Sequence, residues 1–231
     1  MNRTDTFTNM KANFSILVCD YDGTLATDGV VNPPTLKALQ AVLASGRKLL
    51  LATGRQLPEV IEIFPQVSLF AWIIAENGAV VYETATRYSQ VLAEPPPDEF
   101  LRLLEEGGIE PISRGRVIVA TTSNHAATLS TLIKSNHLAY EVILNKDSAM
   151  VLPTGVHKGS GLSWVLNRLG LNEKQVIVVG DGENDSDLFS VSGFRVAVAN
   201  AVPELKSIAD WVTPAAAGLG IVQLSNFLLM G

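Results

Sequence analysis

Apolar residues in this chain follow two rhythms. The first is the unbroken run: residues 14–19 (FSILVC), 48–52 (KLLLA), 71–75 (AWIIA) and 176–180 (VIVVG) are almost wholly apolar and stop at polar or turn-forming residues. Runs of this length suit strands buried on both faces of a parallel sheet. The second rhythm is helical. Leu36, Leu39, Val42 and Leu43 fall on one face after Asn32-Pro33-Pro34, which supplies a cap and prolines in the first turn, and Gly46 closes the helix. Leu162, Val165, Leu166 and Leu169 repeat that spacing over 158–169. Shorter helices are predicted at 57–64, 185–191 and 203–209, short strands at 194–198 and 210–213, and a closing helix at 220–229. Residues 76–79 (ENGA) read as a turn into a return strand at 80–83.

The pattern changes around Pro95-Pro96-Pro97. Beyond it come an amphipathic helix at 98–106, a strand at 116–121, a helix at 123–135 and strands at 140–145 and 149–153. Residues 84–153 therefore read as a small α/β module inserted between 14–83 and 154–231. Strand and helix alternate in both flanks, which implies right-handed crossovers and a doubly wound parallel sheet, an α/β core. Residues 1–13 are polar, lack the apolar centre of a signal peptide, and read as a flexible leader.

Composition narrows the function. No apolar stretch approaches the ~18 residues needed to cross a bilayer, so a soluble, cytoplasmic protein without a membrane partner is expected. The single cysteine, Cys19, excludes an internal disulfide and a Cys-rich zinc site, and its place at the end of an apolar run suits a buried structural thiol. The formal charge is −6 and the basic residues are scattered, so a nucleic-acid partner is not expected. An acidic chain can still take an anionic substrate if a bound cation supplies local positive charge.

Polar residues at the ends of the buried runs are the chemical candidates, because ligands of open α/β sheets bind at the carboxyl edge of the strands. Asp20 and Asp22 flank Tyr21 and precede Gly23. One carboxylate of such a pair can attack phosphorus while the other exchanges a proton with the leaving oxygen, and Gly23 lets backbone N–H groups approach an anion. Read alone, the cluster is equally a turn with solvated aspartates. Thr53-Gly54-Arg55 offers a hydroxyl for a phosphoryl oxygen, or is a plain strand-to-helix turn. Lys158 opens a helix, against the macrodipole, so it either serves an anion or reaches solvent. The 180–187 segment (GDGENDSD) packs Asp181, Glu183, Asp185 and Asp187 together, a mutual repulsion that a hard cation such as magnesium would relieve. Capping by Asp185 accounts for only part of it.

Taken in order, DYDGT at 20–24, LATGR at 51–55, Lys158 and GDGENDSDL at 180–188 resemble the haloacid dehalogenase-like hydrolase superfamily over about 14–231. IAENGA at 74–79, HKGSGL at 157–162 and VAVANAVPELKSIADWVT at 196–213 are similar to its type IIB, or Cof-like, branch, whose cap lies between the threonine and lysine motifs. The resemblance implies a Rossmann-like core and an inserted cap, here 84–153, short like those of phosphoglycolate and sugar-phosphate phosphatases. It implies that Asp20 is the nucleophile, that Asp22 is the general acid and base, and that Thr53 and Lys158 hold the phosphoryl group, with Gly23, Gly54, Arg55 and Asn184 around it. Magnesium would be held by Asp20, the carbonyl of Asp22, Asp181 and Asp185, the last directly or through water. The implied activity is phosphatase action on a small phosphorylated metabolite through an aspartyl-phosphate, by a monomer or homodimer. A phosphomutase shares these motifs, and a non-catalytic phosphometabolite-binding module could keep the fold. Carbon–halogen hydrolysis is disfavoured by the presence of Asp22.

Overall fold

The computed structural model describes residues 14–230, so the leader expected over 1–13 lies outside the described residues. The chain begins with β1 (Ile16–Asp20), α1 (Pro33–Ala44), β2 (Lys48–Ala52), α2 (Leu57–Ile63) and β3 (Trp72–Ala75). Two antiparallel strands follow, β4 (Val80–Glu83) and β5 (Tyr88–Val91). The cap consists of α3 (Asp98–Glu106), β6 (Ser113–Arg114), β7 (Val119–Thr122), α4 (Ala126–Ser135), β8 (Tyr140–Asn145) and β9 (Ser148–Pro153). The core resumes with α5 (Lys158–Leu169), β10 (Val176–Gly180), α6 (Ser186–Phe189), β11 (Phe194–Ala197), α7 (Pro203–Ile208), β12 (Trp211–Val212) and α8 (Ala217–Leu229). The large sheet has the order β12-β11-β10-β1-β2-β3-β4-β5, and its first six strands in that order run parallel.

Strand alternation explains why the buried runs are unbroken. Leu17, Cys19, Leu49, Leu51, Ile73, Ile177 and Val179 face one layer, with Leu39 and Val42 of α1 and Ile221 and Leu224 of α8. Ile16, Val18, Leu50, Trp72, Ile74, Val176 and Val178 face the other, against Leu162, Val165 and Leu166 of α5 and Leu188 of α6. Both faces are covered, so the interior positions of these strands are apolar on both sides. Burial, reinforced by Asp20 next door, pushes the Cys19 thiol well up, as expected of an inert structural cysteine. Asn32 caps α1 as the sequence predicts, its Oδ1 accepting from the Thr35 N–H at 2.9 Å and the Thr35 hydroxyl at 2.8 Å.

From β1 the chain moves to β2 and β3 on one side; after the cap it returns to β10 and moves to β11 and β12 on the other. The strand order therefore switches direction between β1 and β10. That is the crevice where an open α/β sheet binds its ligand.

The cap is a four-stranded antiparallel sheet of order β6-β7-β9-β8. Phe100, Leu104, Leu129 and Ile133 from its two helices pack with Val119, Ala149 and Val151 of the sheet. Ile118, Met150 and Leu152 instead pack with Ala79 of the core.

Several boundaries differ from the sequence reading. The inserted module was expected from residue 84, but β5 lies inside that stretch and extends the core sheet, pairing Val80 with Val91 and Glu83 with Tyr88. It is an edge strand of half-buried and exposed residues, so it lacks the apolar run that marks the central strands. The strand expected over 116–121 starts only at Val119, because the N–H groups of 116–118 turn toward the side chain of Glu76. The helix expected over 185–191 is a 3-10 turn, Glu183–Asp185, followed by the short α6. The closing helix starts at Ala217 rather than 220.

Candidate active site

Asp20 is the last residue of β1, Thr53 follows β2, Asp181 follows β10, and Lys158 is the first residue of α5. The fold brings all four together at the switch point. Lys158 is completely buried, and its Nζ donates to Asp20 Oδ1 and to Asp185 Oδ1, each at 2.7 Å. The solvent-reaching alternative for this lysine is thereby overturned. Burial alone would pull its ammonium down, but Asp185 and Asp20 outweigh that and hold it well above the usual lysine value.

Asp185 does not cap α6. Its Oδ2 accepts from the N–H groups of Asp181 and Gly182, at 2.9 and 3.0 Å, and so ties down the loop behind it. Asp181 accepts from the Thr24 hydroxyl at 3.2 Å and the Asn200 amide at 3.1 Å. Burial, with Asp185 nearby, pushes the Asp20 carboxyl up to about 8 against the pull of Lys158, and burial also raises Asp181. Carboxylate oxygens of Asp20, Asp181 and Asp185 lie within 4.8 Å of one another, all on buried residues. An all-oxygen set this tight matches what a hard divalent cation takes.

The side chain of Asp22 points elsewhere. Arg55 forks onto it, Nε to Oδ2 at 2.6 Å and a terminal nitrogen to Oδ1 at 2.8 Å. Only the main-chain carbonyl of Asp22 lies toward the acidic cluster, 3.5 Å from Lys146 Nζ. Gly23 adopts φ +84, and a Cβ there would come within 2.3 Å of Asp181 Oδ2, so glycine is required. Gly54 sits below the cap, where a Cβ would meet Met150 Sδ at 3.2 Å. The buried amide of Asn184 donates to Asn77 Oδ1 at 2.8 Å.

The sequence reading missed Lys146, in the two-residue link between β8 and β9. Its Nζ lies 2.6 Å from Asp181 Oδ2. Asn200, which also donates to the carbonyl of Gly23 at 2.8 Å, was missed too. Both are loop residues whose spatial place no periodicity encodes. Four polar residues of the inserted module, Arg114, Arg116, Asn124 and His125, make their contacts away from the acidic cluster. Arg114 pairs with Asp98, Arg116 donates to Ser89 Oγ, Asn124 bonds Thr122 and His125 meets the carbonyl of Glu110. The cavity over Asp20, of about 320 Å³, is lined by Asp22, Thr53, Gly54 and Arg55 below and by Ala120, Asn145, Ser148 and Met150 of the cap above.

The haloacid dehalogenase-like hydrolase family matches this chain over residues 17–141 and 115–224. The chain belongs to the haloacid dehalogenase-like hydrolases. Phosphoglycolate phosphatase 2 of Saccharolobus solfataricus is 30% identical over 225 residues, covering 95% of this chain and 94% of the relative. Among solved structures, a Thermoplasma acidophilum protein superposes with a TM-score of 0.82 at 18% identity, covering 94% of this chain and 99% of the other. A subclass IIB sugar phosphatase of the superfamily superposes with a TM-score of 0.74 at 20% identity, covering 91% and 97%. In this haloacid dehalogenase-like hydrolase the small domain is inserted between the Thr53 and Lys158 segments, and the fold of the subclass IIB structure superposes on both parts.

Proposed function

We propose that this hydrolase is a magnesium-dependent phosphatase of small phosphorylated metabolites, working through an aspartyl-phosphate on Asp20. One observation carries the reading: a fully buried lysine, Lys158, bridges Asp20 and Asp185 at the switch point of the sheet. Such a lysine pulls the Asp20 carboxyl toward its charged form, against burial and Asp185, and leaves positive charge beside the phosphoryl group that Asp20 attacks.

Asp20, Asp181, Asp185 and the carbonyl of Asp22 would hold the cation. When bound, it neutralises charge on the phosphoryl oxygens. A carboxylate oxygen of Asp20 attacks phosphorus, and the bond from phosphorus to the ester oxygen breaks. Asp22 gives its proton to that oxygen, and an alcohol leaves. Asp22 then takes a proton from water as the water oxygen attacks phosphorus. The bond from phosphorus to Asp20 breaks, inorganic phosphate leaves, and Asp20 is restored as a carboxylate. Thr53 Oγ1, fixed by accepting the Arg55 N–H at 3.1 Å, and Lys158 Nζ orient the phosphoryl group. Arg55 occupies both oxygens of Asp22, so Asp22 carries a proton to the ester oxygen only after turning out of that fork.

The 320 Å³ cavity and its roof of Ala120, Asn145, Ser148 and Met150 suit a leaving group of a few carbons. The name of the Saccharolobus relative supports a phosphoglycolate-like substrate. The test is hydrolysis of p-nitrophenyl phosphate and 2-phosphoglycolate by purified protein with magnesium. Both EDTA and Asp20→Asn are expected to abolish phosphate release, and full activity in either case sinks the mechanism.

A further inference from the structure

The turn Glu76–Gly78 contacts the Thr53–Arg55 loop, the start of the Lys158 helix and the cap, although it supplies no group to the proposed reaction. The Glu76 N–H donates to the Arg55 carbonyl at 2.9 Å, and the Asn77 N–H to the Thr53 carbonyl at 2.9 Å. Gly78 lies against the start of α5, where a Cβ would be 2.0 Å from the His157 carbonyl and 3.1 Å from the Lys158 nitrogen. The side chain of Glu76 goes the other way, into the cap. Its Oε1 accepts from the Arg116 N–H at 3.0 Å, and its Oε2 from those of Val117 and Ile118 at 2.8 and 3.1 Å. Glu76 is 1% exposed.

We infer that Glu76 is a positioning residue: its carboxylate anchors the cap loop 115–118 and so fixes the cavity roof over Asp20. The buried carboxylate here is met by three converging backbone N–H groups, a nest of the kind that holds an anion. The bonds cross from core to cap, with 40 to 42 residues between the partners. Gly115 completes the fit, since a Cβ there would be 2.6 Å from Glu76 Oε2. The loop it anchors leads directly into β7, whose Ala120 lines the cavity. One turn thus sets the phosphate-handling loop, the lysine helix and the cap in register. Gln in place of Glu76 turns an N–H₂ group toward backbone donors, and the nest opens.

The role rests on the phosphatase reading, so the experiment separates the two. Glu76→Gln and Gly115→Ala approach the contact from opposite sides. Amide hydrogen exchange at Arg116, Val117 and Ile118 is expected to rise at least about tenfold in both variants. The KM for p-nitrophenyl phosphate is expected to rise about tenfold with kcat within about threefold. Inhibition by inorganic phosphate, which the proposed core groups Thr53 and Lys158 would hold, is expected to stay within about twofold, because both main-chain bonds to the phosphate loop survive. Unchanged exchange overturns the anchor. A lower melting temperature with the KM and phosphate inhibition of the wild type overturns the positioning role and leaves a structural one. If the wild-type chain releases no phosphate from any ester, the phosphatase reading falls, and exchange at 116–118 alone decides whether Glu76 holds the cap.

Discussion

Lys146 meets two of the oxygens proposed to hold a cation, Asp181 Oδ2 and the carbonyl of Asp22. It is a half-exposed side chain paired with a buried carboxylate, so the pair is worth only about 1 kcal/mol. Removing its charge takes the competing ammonium off Asp181 Oδ2, leaving the neutral Asn200 amide there. Lys146→Met is expected to tighten magnesium binding severalfold, on the order of fivefold, in a calorimetric titration. Asp20 gives a second prediction at this scale. Burial and Asp185 raise its carboxyl to about 8, so the folded chain holds that proton more tightly than the unfolded chain does. The cation-free protein therefore loses stability as pH rises from about 4 to 8, and Asp181, also raised, adds in the same sense. Lys158 stays charged throughout that window and contributes no slope. Melting temperatures across the window should fall without magnesium and flatten with it; a rise without magnesium would contradict the assignment. Asp20, Thr53, Lys158 and Asp181 were legible because each ends a buried strand or opens a helix. Lys146, Asn200 and Glu76 were not, because their partners lie far away in sequence on other elements.

Among the elements, the central parallel strands were the most legible, since covering on both faces leaves polar residues only at their ends. β5 was not, because an edge strand shares one ladder and half its surface with water. The turn before β4 was read correctly as a turn, but its importance lies in its backbone. Gly78 has φ +107 and no room for a Cβ. Gly78→Ala should cost at least about 2 kcal/mol in urea unfolding, since it adds strain to a clash with the His157 carbonyl. Because that carbonyl begins the helix carrying Lys158, activity should fall with it. A stable, fully active Gly78→Ala protein would show that α5 does not rest on this turn.

At the scale of the whole molecule, the site belongs to neither layer alone. On the proposed mechanism the core supplies the reacting groups and the cap the roof, so roof residues should govern fit rather than turnover. Ala120→Leu narrows the cavity and is expected to raise KM for p-nitrophenyl phosphate roughly tenfold while kcat changes little. Equal losses in kcat and kcat/KM would instead place Ala120 close to the reacting atoms. The sequence by itself determined the doubly wound core, the presence of an insertion and the four strand- and helix-end sites, because local burial and local turn chemistry write those into residue order. Only the tertiary structure decided which way Asp22 faces, that Lys146 reaches Asp181, where the insertion leaves the core sheet, and that Glu76 grips the cap. Each of these depends on pairs joined across the chain by packing, and no periodicity along the chain carries that distance.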